Sequence, residues 1–340
     1  MIVSASNVQE AIQRAKDLGA SKVLLQLPDG LKPRAFGIFS ELSKHFSVVI
    51  SSQSFYGGAC DVGGSMDTYS RVDCIVQLGH TEIPNLRYPK PIIFIEHLYE
   101  RDARIEASAF QILRSRGGYS TVGLAFSVQY RQVAEGVREA LEALGLRVLV
   151  GGVDGRMKYP GQVLGCNFSA IHSVQAMVDS IVVVSTGTFH ALGAQLSTEK
   201  EVFIYDVSEG SLRSMREEAD RFLRQRFAAI SRAAGARKVC IVIDTKIGQY
   251  RPSLAAVVER QARESGKEVV TLATDEANPP RDYENLMCDA VVFTGCPRVP
   301  IDDGGKFSMP VLTPQEFQMA LGGIKKGRYV LDEIVAVDTQ

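Results

Sequence analysis

Short, unbroken apolar runs punctuate the chain. Lys22-Val-Leu-Leu-Gln-Leu27, Ser47-Val-Val-Ile-Ser51, Cys74-Ile-Val-Gln-Leu78 and Pro91-Ile-Ile-Phe-Ile95 lack the in–out alternation of a half-exposed strand. They therefore predict parallel strands buried on both faces. Between them, residues 8–18 and 34–45 space their apolar side chains by three and four, the period of an amphipathic helix. The pattern then recurs. Thr121-Val-Gly-Leu-Ala125, Arg147-Val-Leu-Val150, Ser180-Ile-Val-Val-Val184 and Glu201-Val-Phe-Ile-Tyr205 form a second set. Lys238-Val-Cys-Ile-Val-Ile243, Glu268-Val-Val-Thr-Leu272, Ala290-Val-Val-Phe293 and Pro310-Val-Leu312 form a third. Alternating strands and helices repeated in this way predict an α/β fold, an internal triplication of one four-stranded parallel-sheet unit about a pseudo-threefold axis. The predicted domains are residues 1–103, 104–212 and 213–340, joined by helices over 100–116 and 211–234 whose composition suits rigid packing.

Charge and composition narrow the function. Across 340 residues, 38 lysines and arginines balance 39 acids, so no broad basic surface for direct nucleic-acid binding is expected. No apolar run reaches the roughly 18 residues of a membrane span, and the N-terminus turns amphipathic early, which predicts a cytoplasmic protein with no membrane attachment. Six cysteines in such a chain point to metal or redox work, with disulfides not expected in a reducing compartment.

The cysteines divide by position. Cys74 and Cys240 lie within or at the start of apolar strands and Cys288 just before one, so all three read as small buried hydrophobes. Cys60, Cys166 and Cys296 instead follow strands in glycine-containing loops, one per unit. Ligands in open α/β sheets gather beyond the carboxyl ends of the strands, so three related units could aim three thiolates at one point. Separations of 106 and 130 residues form no local motif, and three unrelated loop cysteines stay open on spacing alone. If the thiols converge, three of them without a matching histidine suit an iron–sulfur cluster better than a closed structural zinc site. A cubane held by three protein ligands leaves one iron open for substrate.

Other strand mouths are polar. Ser185-Thr-Gly-Thr-Phe-His190 leads from a strand into a helix and could hold a carboxylate on its amides, or simply cap the helix. His80 takes the corresponding place in the first unit and Arg298 in the third, which predicts a polar cavity. Thr186, Gly187, Thr188 and His190 complete the predicted substrate-binding set. No dinucleotide fingerprint or phosphate loop is present.

Several strings together carry a resemblance: Leu25-Gln-Leu-Pro-Asp-Gly-Leu31, Tyr56-Gly-Gly-Ala-Cys-Asp61, Gly79-His80, Pro160-Gly-Gln-Val-Leu-Gly-Cys166, Gly187-Thr-Phe-His190, Tyr205-Asp206 and Cys296-Pro-Arg298 through Ile301-Asp302. The chain resembles the 2-(3-amino-3-carboxypropyl)histidine synthase family of diphthamide biosynthesis in its shorter archaeal form. The resemblance implies a 4Fe-4S cluster on Cys60, Cys166 and Cys296 and S-adenosylmethionine bound at the open iron. It implies transfer of a 3-amino-3-carboxypropyl group to a histidine of translation elongation factor 2, with methylthioadenosine released. It also implies a homodimer and a separate electron donor. The string Gly-Gly-Ala-Cys-Asp lacks the second cysteine that many relatives carry, and Asp244-Thr-Lys-Ile-Gly-Gln249 matches the family's third-unit loop only loosely. A dehydratase built like quinolinate synthase and a non-catalytic partner subunit are the competing expectations.

Overall fold

The structure, a computed structural model, describes residues 5–52, 71–99, 105–115, 118–275, 281–322 and 329–336. Among these residues the strands form three sheets. The first contains β1 (Lys22–Gln26), β2 (Ser47–Ile50), β3 (Cys74–Leu78) and β4 (Ile92–Ile95) in the order β2-β1-β3-β4, all parallel. The second contains β5 (Thr121–Phe126), β6 (Arg147–Val150), β7 (Ser180–Ser185), β8 (Glu201–Asp206) and β9 (Ser211–Ser214) in the order β6-β5-β7-β8-β9. The third contains β10 (Lys238–Asp244), β11 (Glu268–Thr274), β12 (Ala290–Phe293) and β13 (Val311–Leu312) in the order β11-β10-β12-β13. Leaving β9 aside, the three share one topology, as the recurring apolar runs predict.

A repeated carboxylate sets the register in each sheet. Asp73 accepts the backbone N–H groups of Ser21 and Lys22 at 2.8 Å, Asp179 those of Ser120 and Thr121 at 2.8 Å, and Asp289 those of Arg237 and Lys238 at 2.9 and 2.8 Å. Each aspartate immediately precedes the third strand of its unit and clips the start of the first. These amide bonds favour the ionised form and hold all three carboxyls below the usual range.

Both faces of the middle sheet are buried, which explains why its strands read as continuous apolar runs. Val122, Leu124, Val182, Val184, Phe203 and Tyr205 face one core. Ala125, Ile181, Val183, Val202 and Ile204 face the other. Each fully buried aliphatic side chain contributes about 1.5–3 kcal/mol. Residues 329–336 return to this second core, where Tyr329 and Leu331 pack, and the Ile334 N–H donates to the Cys166 carbonyl at 2.7 Å.

Two expectations need correction. Residues 211–214 are not helical but form β9, antiparallel to β8, and the helix starts only at Arg216 and runs to Ala234. The turn at Gly210, with φ +66°, reverses the chain so that β9 satisfies the edge of β8, a tertiary gain that local helix propensity does not register. Cys240 and Cys288, expected to serve packing alone without a disulfide, are instead joined in one. The β10–β12 pairing brings the residue preceding β12's clip beside Cys240, and both are buried. Cys74 is the buried thiol expected, 1% exposed, and burial pushes its pKa up to about 11. Among the described residues no helix is long and apolar enough to cross a membrane.

Candidate active site

The strand mouths of the first two units enclose a cavity of about 400 Å³. Its walls come from the loop after β1 (Pro28 to Leu31), the turn after β3 (Gly79 to Ile83), His97, Ser127, Arg156, Gln162 and the loop after β7 (Ser185, Thr186, Phe189, His190). Of the predicted substrate-binding residues, His80, Thr186 and His190 therefore line one cavity. Gly187 and Thr188 lie in the same turn but not in its wall, and Arg298 is elsewhere.

The approach of β3 to the β1 loop depends on Gly79. Its φ of +102° suits glycine, its N–H donates to the Ile95 carbonyl at 2.8 Å, and a Cβ here would stand 2.9 Å from Pro28 Cγ. The turn delivers His80 into the cavity wall, where burial lowers its pKa to about 4 and keeps the ring neutral. In the second unit Asp206, at the end of β8, accepts the Gly187 N–H at 3.0 Å and so fixes the turn after β7. Tyr130 Oη and Thr186 Oγ1 share a hydrogen bond at 2.7 Å, and Ser185 Oγ meets His190 Nδ1 at 3.3 Å. His190 is likewise lowered to about 4, first by burial and then by the Arg298 charge. Thr188 stands at the helix N-cap without a side-chain cap bond, so the capping alternative is not what this turn does. Asp206 belongs to a family string, but only the pairing of β7 with β8 shows its task.

Cys166 is 5% exposed. Burial raises its thiol pKa, against the hydrogen bond and charge of Arg156 and the charge of Arg251, which pull toward thiolate. Arg251 also grips the peptide leading into Cys296: its Nε donates to the Thr294 carbonyl at 2.7 Å and its Nη2 to the Gly295 carbonyl at 2.8 Å, while it pairs with Asp332 at 2.6 Å. The loops of Cys166 and the half-buried Cys296 thus meet at one guanidinium. Gly165 leaves room for Phe189, over whose ring the Arg298 guanidinium lies at 3.8 Å. Arg298 is held there by two bonds to Asp302 at 2.8 and 3.0 Å, so it seals the seam between two loops instead of lining the cavity. Cys60 lies outside the described residues.

The aspartate clips correct the assumed correspondence. Counting from them, 80 − 73, 186 − 179 and 296 − 289 all equal 7, so His80, Thr186 and Cys296 are the equivalent positions, not His80 and Arg298. Cys166 follows the second strand of its unit, whereas Cys296 follows the third strand of its own. Among the described residues, which hold two of the three proposed ligand cysteines, no three His, Cys, Asp or Glu side chains gather closely enough to hold a metal ion. Two thiol-bearing loops held by the Arg156 and Arg251 guanidinium groups nevertheless form a donor set suited to an anionic iron–sulfur centre.

Comparison with known proteins agrees with this picture. Residues 27–330 match the family described as "Putative diphthamide synthesis protein". The chain is 30% identical to the 2-(3-amino-3-carboxypropyl)histidine synthase of Pyrococcus horikoshii over 96% of its own length and 92% of the relative's. It is 27% identical to subunit 1 of the Gallus gallus enzyme of that name, over 94% of this chain and 77% of the relative. The crystal structure of Dph2 from Pyrococcus horikoshii with a 4Fe-4S cluster superimposes with a TM-score of 0.85 at 28% identity, covering 98% of this chain and 95% of that one. With the match running through all three sheets, the chain belongs to the diphthamide synthesis protein family.

Proposed function

We infer that this chain is a 2-(3-amino-3-carboxypropyl)histidine synthase, which transfers the 3-amino-3-carboxypropyl group of S-adenosylmethionine to C2 of a histidine in elongation factor 2, the first step of diphthamide synthesis. The near-complete alignment with the Pyrococcus horikoshii enzyme, together with the shared fold, carries the assignment. We propose Cys60, Cys166 and Cys296 as the ligands of its 4Fe-4S cluster. When bound, the cluster supplies the electron that cleaves the bond between the sulfonium and the methionine γ-carbon, so that methylthioadenosine leaves.

This chain's own residues bind, orient and shield. The loops carrying His80 and Thr186 to His190 form a partly enclosed cavity beside Cys166, Val163 and Leu164 lying in its wall and leading to that cysteine. Neutral, buried His80 and His190 offer hydrogen bonds without a competing charge. Orientation matters because both bonds at the sulfonium are cleavable, and a misplacement on the order of 1 Å costs about a hundredfold in rate. The protein's proposed setting is cytoplasmic, as a homodimer served by a separate electron donor.

Anaerobic incubation with S-adenosylmethionine, dithionite and an archaeal elongation factor 2 tests the assignment. Methylthioadenosine and a 3-amino-3-carboxypropyl adduct on one histidine are expected by mass analysis. 5′-Deoxyadenosine as the main nucleoside would refute the cleavage, and methylthioadenosine without an adduct would refute the acceptor.

A further inference from the structure

The cavity wall contains one deeply buried permanent charge. Arg156 is 3% exposed, and among the described residues no carboxylate lies within ion-pairing distance of it. Its Nη2 donates to the Gly248 carbonyl at 2.6 Å, while its Nε, also buried, has no partner. The acids in the same wall, Asp29 and Glu82, are exposed, and Asp29 is engaged by Lys32 at 2.6 Å. Three more buried polar groups in the wall lack partners, Thr81 Oγ1, Ser127 Oγ and His80 Nδ1, at 6%, 4% and 8% exposure.

Part of the Arg156 charge faces the Cys166 thiol, but a buried guanidinium with no carboxylate partner and an unmade hydrogen bond at Nε is still costly. Here the open donor belongs to a wall of the cavity, so a bound anion can complete it. Guanidinium groups recognise carboxylates through two parallel N–H donors, a geometry that a lysine cannot reproduce. The neutral histidines in the wall do not compete for the anion. The Arg298 guanidinium does not compete either: Asp302 occupies its Nε and Nη2, and although its Nη1 has no partner, Arg298 is not in the cavity wall.

We propose that Arg156, with its free Nε and in the same cavity wall as the Ser127 and Thr81 hydroxyls, receives the α-carboxylate of the S-adenosylmethionine methionyl group. The proposal rests on the functional reading above and names the residue that grips the transferred end. Because Arg156 also touches Cys166, the grip holds that end beside the cluster-ligand loop, where the γ-carbon must lie.

The test compares two nucleosides on the anaerobic, cluster-loaded protein by equilibrium dialysis: S-adenosylmethionine and decarboxylated S-adenosylmethionine, which keeps the sulfonium and adenosine but lacks the carboxylate. Wild type is expected to prefer the carboxylated form by about 10- to 100-fold, the range of a charged hydrogen-bonded contact. Arg156→Gln should abolish that preference by weakening S-adenosylmethionine alone, with binding counted per loaded cluster because Arg156 also contacts Cys166. Arg298→Gln should leave the preference intact. If Arg156→Gln does not fold, Arg156→Lys carries the test, and its preference should fall several-fold because the fork is lost. A preference that survives in the Arg156 variants overturns the assignment, as does equal weakening of both nucleosides, the signature of a purely structural role. Wild type that binds neither nucleoside overturns the functional reading itself.

Discussion

Replacing Gly79 by alanine probes the contact that shapes the cavity, because its two costs can be separated. At φ +102° an L-residue is strained, by about 1–2 kcal/mol. The new Cβ would also meet Pro28 Cγ at 2.9 Å and Leu31 Cδ1 at 3.2 Å, and Pro28 is too rigid to yield cheaply. Overpacking of this kind costs about 1–3 kcal/mol, so the total is about 2–5 kcal/mol. Gly187→Ala isolates the backbone part: its φ is +62° but nothing lies within 4 Å of the added Cβ, so about 1–2 kcal/mol is expected. Gly30→Ala, in the loop that packs on Gly79, has an ordinary φ and open space, so it should be neutral or slightly stabilising. Thermal unfolding of the three variants, followed by circular dichroism, should rank them Gly30, Gly187, Gly79 in increasing loss. Gly79→Ala should also weaken S-adenosylmethionine binding, since yielding of Pro28 and Leu31 moves a cavity wall. A Gly79 variant as stable as the Gly30 variant would refute the packing argument, and a Gly187 variant as damaged as the Gly79 variant would refute the separation of terms.

Serine in place of Cys60, Cys166 or Cys296 should strip or cripple the cluster, read as iron content per chain, whereas Cys74→Ser should retain it; retention of full iron by Cys166→Ser would refute the ligand set. Alkylation of the denatured, unreduced protein should leave Cys240 and Cys288 unmodified, and Cys288→Ser should cost on the order of 4 kcal/mol for a loop closed across 48 residues; rapid labelling of both cysteines would refute the bond. The clips at Asp73, Asp179 and Asp289 have folded pKa values below 3.8, so their contribution is complete above that pH and drains away as pH falls through the lowered values. A triple Asp→Asn variant should therefore lose less stability than wild type between about pH 4 and 2 in urea titrations, and parallel pH slopes would refute the role of the clips.

The triplicated parallel architecture was legible because a strand buried on both faces must be apolar along its whole length, and that signal is local. Cys166 and Cys296 could be singled out from Cys74 for a similar reason: a glycine-bearing loop past an apolar run marks a strand mouth. What spacing could not decide was everything set by strands pairing across long separations. The partnership of Cys240 with Cys288 arises from the β10–β12 pairing, and β9 forms because the edge of β8 needs hydrogen-bond partners. The equivalence of Cys296 with His80 and Thr186 follows from the aspartate clips, which align residues hundreds of positions apart. The same holds at the cavity. Arg298 was conspicuous beside a cysteine, yet Asp302 and Phe189 occupy it at the seam, whereas Arg156, inconspicuous in Gly155-Arg-Met157, is carried into the wall and, among the described residues, has no carboxylate partner. A residue's type is written in the chain, but the availability of its charge depends on which distant groups the fold places against it.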